Sequence, residues 1–576
     1  MLGGAAAALV AGATMALFRW TLQVRTVPER LLESVLLLIP PGVFESALLR
    51  FSFDAKRYAL DLAVVLTLAF LALLGCVALA KHWSTGALLG LGVWVWLVAM
   101  LVVMPLTGAG LFASELIDGA VSAALGYLAV CLAYAVSLEV ARSVLQRADA
   151  AMGAPAPLEP GRRTALMTFG GALAALAGAY LAQFVVVRRD LSEVRVLDPQ
   201  EPLPSGGPDD QTGHPNAVVR RPATTQTVPV AQSTNTAVPV ARDEPIPEPR
   251  PARPMKRDRD GVVLPAGRRP GELTDLITSN DDFYIVSKNA GGDPVIQGKA
   301  WRLRVDGDVE RPLELDYATL RKLPAVEAVR TLECISNFAA KCELAPFGCD
   351  LISTARWKGV RVATILELAG SVKSGSNVVA VIGADEYTSS LPLEALMDPD
   401  ALLVYDMNGE VLPREHGYPA RLLVPGRYGM KNAKWVIGLR PTSRDFLDWY
   451  GQRNWSKDGI VRTTSRIDLP PRGTDLPPGT YNVAGIAYAG SRGVEQVEFS
   501  GDGGTTWQAA RFLEPPVARD AWVRWIGQFL LEPDAPLTLR ARATDASGAL
   551  QNEAFELPEP NGSSGWPSLD VQARSS

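Results

Sequence analysis

Three of the chain's five cysteines, Cys334, Cys342 and Cys349, fall within TLECISNFAAKCELAPFGCDL, residues 331–351. A thiolate can ligate a soft metal, attack an electrophile or close a disulfide, and the spacing alone admits all three. Histidine narrows the choice. The chain has only His82, His214 and His416, so a multi-imidazole zinc site, a two-histidine iron site and a bis-histidine haem are all short of ligands. No C-x-x-C-H sequence and no four-cysteine iron–sulfur set occurs. A hydrolase pairing Cys334 with His416 stays open.

A second constellation lies downstream. HGYPARLLVPGRYGMKNAKW (416–435) gathers His416, Arg421, Arg427, Lys431 and Lys434 around Pro and Gly turns. Guanidinium forks, ammonium groups and exposed backbone N–H donors suit a phosphate or pyrophosphate. A solvated basic loop is the competing reading. GRYGMKN (426–432) is neither a Walker loop nor a dinucleotide turn. The net charge of −5 points to no nucleic-acid partner.

These residues must be held by something, and the chain changes character along its length. Residues 1–189 read as a membrane domain, with uncharged runs at 1–18, 62–80, 83–114, 119–138 and 164–187. An apolar helix of about twenty residues spans a bilayer core, which predicts five spans. ESVLLLIPPGVFESALL (33–49) competes for a sixth, but Pro40 and Pro41 favour a re-entrant or interfacial piece. Arg142, Arg147, Arg162 and Arg163 lie between the fourth and fifth spans, while 105–117 has no basic residue. That asymmetry places everything after Val187 outside the cytoplasm, against the counter-signal of Arg188 and Arg189. The arginine pair in GRRTALMTFGGALAALAG (161–178) also matches a twin-arginine export signal as well as an ordinary anchor.

Residues 190–270 read as a disordered, Pro-rich linker, since 212–254 has no Phe, Trp, Tyr, Leu or Met with which to build a core. From 271 to 475, strand-like WRLRVDGDV (301–309) and NVVAVIGA (377–384) alternate with helix-like YATLRKLP (317–324) and VATILELAG (362–370), an α+β pattern. From 476 to 560, short alternating runs such as YNVAGIAYAG (481–490) and LTLRARATD (537–545), with turn signals between them, predict an immunoglobulin-like β-sandwich. Residues 561–576 are expected to be a flexible tail.

Several long segments, all collinear, resemble the sulfite oxidase family of molybdopterin enzymes: TLECISN (331–337), LISTARWKGV (351–360), DALLVYDMNGEVLPREHGYPARLLVPGRYGMKNAKW (400–435) and RTTSRID (462–468). The resemblance covers roughly 270–475 and continues into the sandwich. It implies molybdenum bound by a pyranopterin dithiolene and one protein cysteine, and Cys334 occupies that cysteine's position. It also implies that His416, Arg421, Arg427, Lys431 and Lys434 hold the cofactor phosphate, and that Asn337, Arg356 and Asp385 contact the pterin or line the site. The sandwich resembles the family's dimerisation domain, which implies a homodimer. The implied activity is two-electron oxygen-atom transfer on a small substrate. With no haem or iron–sulfur ligand set in the sequence, electrons are expected to pass to a separate carrier or a membrane quinone. A tethered binding or sensory protein that keeps the fold without the chemistry is the alternative.

Two departures bear on the substrate. Val286, in DFYIVSKN (282–289), stands where sulfite-oxidising members have an Arg, and Trp455 stands where they have a Tyr. Losing an anion clamp and a phenol leaves little to hold sulfite, although Lys288 lies close by. Reduction of a sulfoxide or another oxyanion is the expectation beside it. The stretch 338–350 is longer than the family's link and brings Cys342 and Cys349. In an extracytoplasmic domain these two are expected to form a disulfide, with ligation by all three sulfurs, or reactive resolving thiols, as rivals.

Overall fold

A computed structural model describes residues 2–36, 55–114, 116, 120–153, 195–196, 246–250, 271–289, 292–345, 347–473, 475–533 and 536–573. The N-terminal part is helical: α1 (Leu2–Thr21), α2 (Val27–Leu36), α3 (Ala55–Ala80), α4 (Thr85–Val98) and α5 (Ala120–Gly153). A π-turn at Ala99–Val103 carries α4 on to Leu106. Four of these helices are long and apolar enough to cross a membrane, over Gly3–Thr21, Tyr58–Ala80, Thr85–Leu106 and Ala120–Arg147. The fifth expected span, 164–187, lies outside the described residues, as does Pro40-Pro41. Small residues explain how the weakly hydrophobic α1 packs: a Cβ on Gly4 would sit 2.6 Å from the Ala72 carbonyl oxygen of α3, so the two backbones touch only because it is absent.

The α+β part is built on two sheets. The first runs in the order β1 (Arg195–Val196), β3 (Leu313–Asp316), β2 (Arg302–Val305), β11 (Val436–Thr442), β6 (Val378–Gly383), β7 (Thr388–Pro392). The second runs β10 (Arg421–Leu423), β8 (Leu402–Met407), β5 (Ile352–Arg361), β4 (Ala325–Glu333), with β9 (Glu410–Val411) paired to β8. The pairs are antiparallel except β1 with β3 and β11 with β2. One hydrophobic core lies between the sheets, with Leu303, Val360, Leu403 and Leu439 all fully buried. Within the stretch expected to be a disordered linker, two pieces are ordered on this domain. Arg195–Val196 extends the first sheet. Ile246 packs on the core, and the Tyr418 hydroxyl donates to the Pro247 carbonyl at 3.0 Å. An extended Pro-flanked backbone has unused carbonyls, and Ile246 supplies the apolar anchor that most of the linker lacks.

The C-terminal part encloses a second core between two further sheets. One is β12 (Thr464–Leu469), β14 (Gly479–Tyr488), β18 (Val523–Leu531), β17 (Arg511–Phe512); the other is β13 (Asp475–Leu476), β20 (Ser568–Ala573), β19 (Leu537–Asp545), β15 (Val494–Ser500), β16 (Gln508–Ala509). Val483 and Trp525 of the first sheet meet Val497, Leu539 and Ala541 of the second, as alternating strands that each bury one face require. Residues 568–573, expected to lie in a flexible tail, form β20 and pair with β19. Leu569 and Val571 point inward there, which is why this segment is ordered.

Candidate active site

Cys334 directly follows β4, where the strand gives way to a turn. Its amide donates to the Leu351 carbonyl at 2.9 Å, and the Asn337 amide donates to the Cys334 carbonyl at 2.9 Å. Asn337 braces this turn: its Nδ2 donates to Glu333 Oε1 at 2.8 Å and its Oδ1 accepts from the Leu351 amide at 3.0 Å. Cys334 is buried and faces a cavity that His416, Arg421, Lys434, Asp385 and Lys288 also line. Three tyrosines from separate stretches, Tyr284, Tyr387 and Tyr450, complete the wall.

Two of the cavity's cations are under-satisfied. Arg421 is buried, donates to the His416 carbonyl at 3.3 Å and lies over Trp357, yet among the described residues its Nε has no partner and no carboxylate pairs with it. Burial pushes its guanidinium down to about 10. Burial likewise lowers the Lys434 ammonium to about 8, and among the described residues its Nζ donates only to a neutral group, the Glu415 carbonyl, at 2.9 Å. The Tyr284 hydroxyl and Glu415 Oε2 are also buried without partners among the described residues. Orphaned polar groups of this kind are rare in a folded interior and mark a place where a ligand belongs. Gly417, at φ +119°, makes the cradle possible, since a Cβ there would stand 3.1 Å from that of Lys434 and 3.2 Å from that of Arg421.

A larger cleft of ≈490 Å³ lies beside the disulfide and the sandwich, but its buried cation is fully engaged. Arg466 there meets Asp468 at 2.8 Å, Asp350 at 3.1 Å and the Cys349 carbonyl at 2.8 Å. The anion-seeking site is the Cys334 cavity.

Burial makes His416 a weak base. Its Nε2 is 2.9 Å from the Asn280 carbonyl, its ring meets Phe283 edge-on, and burial depresses it to about 3, so it stays neutral with Nε2 as the donor.

Several residues singled out from sequence lie elsewhere. Lys431 is fully buried and donates to Asp448 at 2.6 Å. Arg427 reaches the Asp458 carbonyl at the surface. Arg356 is exposed on β5, where its amide donates to Asn408 Oδ1 at 2.8 Å; strand alternation turns its side chain away from the cavity. Trp455 backs the wall rather than lining it, 5.8 Å from the ring of Tyr450. Cys342 and Cys349 are joined in a disulfide, and Cys334 takes no part in it. Sequence reasoning missed Tyr284, Tyr387 and Tyr450; the aromatic pairs in DFYIV and DWYG were the available signal.

The family model for the oxidoreductase molybdopterin binding domain matches residues 290–450. The chain is 31% identical over 317 residues to the sulfite oxidase of Gallus gallus, covering 48% of this chain and 69% of that protein. It is 26% identical over 337 residues to the sulfite oxidase of Arabidopsis thaliana, covering 50% and 85%. Among solved structures, the sulfane dehydrogenase SoxCD from Paracoccus pantotrophus is similar at 25% identity and a TM-score of 0.47, covering 52% of this chain and 82% of that one.

Proposed function

Because the chain belongs to the sulfite oxidase family of molybdenum-dependent oxidoreductases, we propose that it binds a molybdenum–pyranopterin group in the Cys334 cavity and transfers an oxygen atom, with two electrons, to or from a small substrate. The observation that carries this reading is a buried thiol sharing one cavity with a buried guanidinium that no carboxylate neutralises among the described residues. A soft ligand beside an anion site is what a sulfur-ligated metal on a phosphorylated organic cofactor requires.

Cys334 would ligate the metal, and Arg421 and Lys434 would hold the phosphate end, while His416, whose one N–H goes to the Asn280 carbonyl, positions the loop that carries them. When bound, the group supplies the two-electron chemistry and the site of oxygen exchange. The chain's own residues do the rest. Tyr284, Tyr387 and Tyr450 exclude water, and burial keeps their phenols protonated, so that the Tyr284 hydroxyl can donate to an oxygen in the cavity. With Val286 at the position of the family's anion-binding Arg, sulfite is poorly served, and a sulfoxide or another oxyanion is the better candidate.

In this reading the four apolar helices anchor the chain in a membrane with the catalytic part outside the cytoplasm. Electrons pass to a separate carrier or a membrane quinone, and the immunoglobulin-like sandwich supports a homodimer. Full-length protein assayed with viologen dyes against sulfoxides, nitrate and sulfite tests the reading. It predicts turnover of at least one of them, lost in folded Cys334→Ser. Molybdenum-loaded protein inert toward all of them would overturn it.

A further inference from the structure

The helical bundle reaches the lip of the cavity. The α1–α2 connection and α2 lay Arg25, Arg30 and Glu33 against the α+β domain, more than two hundred residues away in sequence. Arg30 pairs with Glu386 at 2.6 Å, and Arg25 bridges Glu33 and Glu386, the latter at 3.6 Å. Arg453 donates to the Glu33 carbonyl at 3.3 Å. Arg30 is 2% exposed and Lys288 5%. Ion networks taken out of water contribute little net stability but tolerate little misalignment, so this one fixes how the bundle sits.

Glu33 ends at a residue of the cavity itself. The Lys288 ammonium donates to the Asp385 carbonyl at 2.8 Å and to Asn289 Oδ1 at 3.2 Å, lies 3.5 Å from Glu33 Oε1, and is 4.0 Å from Asp385 Oδ2. Arg25, Arg30, Lys288 and Arg453 are thus matched in number by Glu33, Glu386, Asp385 and Asp293, so these eight groups carry no net charge. Without Glu33, Lys288 and Arg25 would present an uncompensated positive charge beside Val286, at the mouth of the site.

We propose that Glu33, contributed by the bundle, is a specificity-determining residue: it neutralises the lip so that the cavity refuses oxyanions and admits a neutral oxygen-bearing compound, such as an S-oxide or N-oxide. This deepens the molybdenum reading and rests on it. Glu33 acts through Lys288 and is a positioning residue, not a catalytic one.

Calorimetric titration of inorganic sulfate into the full-length, molybdenum-loaded chain tests the proposal, with molybdenum content measured on the same sample. Glu33→Gln should bind sulfate about ten-fold more tightly than the native chain, the effect expected from one unscreened charge near the site. Damage to packing would not produce a gain of this kind. Adding Lys288→Met should abolish the gain. Glu553→Gln removes the same charge at the exposed Arg540 pair of the C-terminal part and should leave sulfate affinity within about two-fold of native, because exposed charges are screened.

Equal affinity in native and Glu33→Gln protein, both loaded, overturns the proposal and leaves the molybdenum reading standing. An equal gain in Glu553→Gln overturns it too, since net charge alone would then be responsible. Native protein that is folded but without molybdenum overturns both. If Glu33→Gln does not load, Arg25→Gln in the native background decides. It leaves Glu33 uncompensated without altering the cavity lining, so sulfate binding should weaken about ten-fold, and unchanged binding overturns the proposal.

Discussion

Lys431 and Asp448 form a buried ion pair at 2.6 Å, and this pair separates two cations that are neighbours in the sequence of the basic loop. Lys431 is spent on the fold, whereas Lys434 and Arg421 face the cavity. Removing one member of a buried pair strands the other, at a cost of about 3–5 kcal/mol. Lys431→Met should therefore lower the unfolding free energy by about that amount, while the fraction that remains folded still loads molybdenum. Denaturant titration alongside metal analysis checks both parts.

Arg421→Ala should behave in the opposite way. The guanidinium has no carboxylate partner to strand among the described residues, and burial disfavours its charge, so the fold should tolerate the change. The charge-assisted bond to a cofactor phosphate would be lost, about 1.5–3 kcal/mol, or roughly a ten- to hundred-fold weaker hold. Molybdenum content under limiting cofactor supply should fall accordingly. Unchanged loading with unchanged stability would remove Arg421 from the anion site.

The disulfide should be a staple and not part of the metal site. Cys342 and Cys349 close a short loop just beyond the Cys334 turn, with the Phe338 amide 3.4 Å from the Gly348 carbonyl. Constraining so small a loop stabilises by about 2–3 kcal/mol. Cys342→Ser, Cys349→Ser and the double variant should lose the same amount of stability and keep their molybdenum. Loss of the metal from either single variant would favour the three-sulfur arrangement.

His416 gives the cofactor-free chain a pH signature. Its folded pKa, about 3, lies below the roughly 6.5 of an unfolded histidine, so between these values the unfolded state binds more protons. The stability it contributes is complete above pH 6.5 and is lost progressively as the pH falls toward 3. Chemical denaturation at several pH values should show a slope in this window that is shallower by up to one proton in His416→Asn. Identical slopes would mean that the imidazole is already exposed.

Much of this was legible in the sequence because chemistry and local order coincide there. Cys334 sits at a strand end, and the loop holding His416 and Arg421 is punctuated by Gly417, whose φ of +119° its residue type allows. What was not legible is the direction in which side chains leave an irregular loop. Lys431 and Lys434, three residues apart, point to different partners because Lys431 ends a 3₁₀ turn at Gly429–Lys431 and Lys434 follows in irregular chain. Arg356 was assigned to the site by resemblance, but the strand's alternation puts it outside. Tyr284, Tyr387 and Tyr450 converge only through the tertiary fold, and no local pattern announces that. The approach of Glu33 to Lys288 lies between segments separated by most of the bundle and the linker, which periodicity cannot connect.

The most direct test of the account is elemental analysis of the purified, folded full-length chain together with its Cys334→Ser variant. The account predicts stoichiometric molybdenum and a releasable phosphorylated pterin in the native chain, with turnover abolished in the variant. Native protein that is active yet free of molybdenum would contradict it.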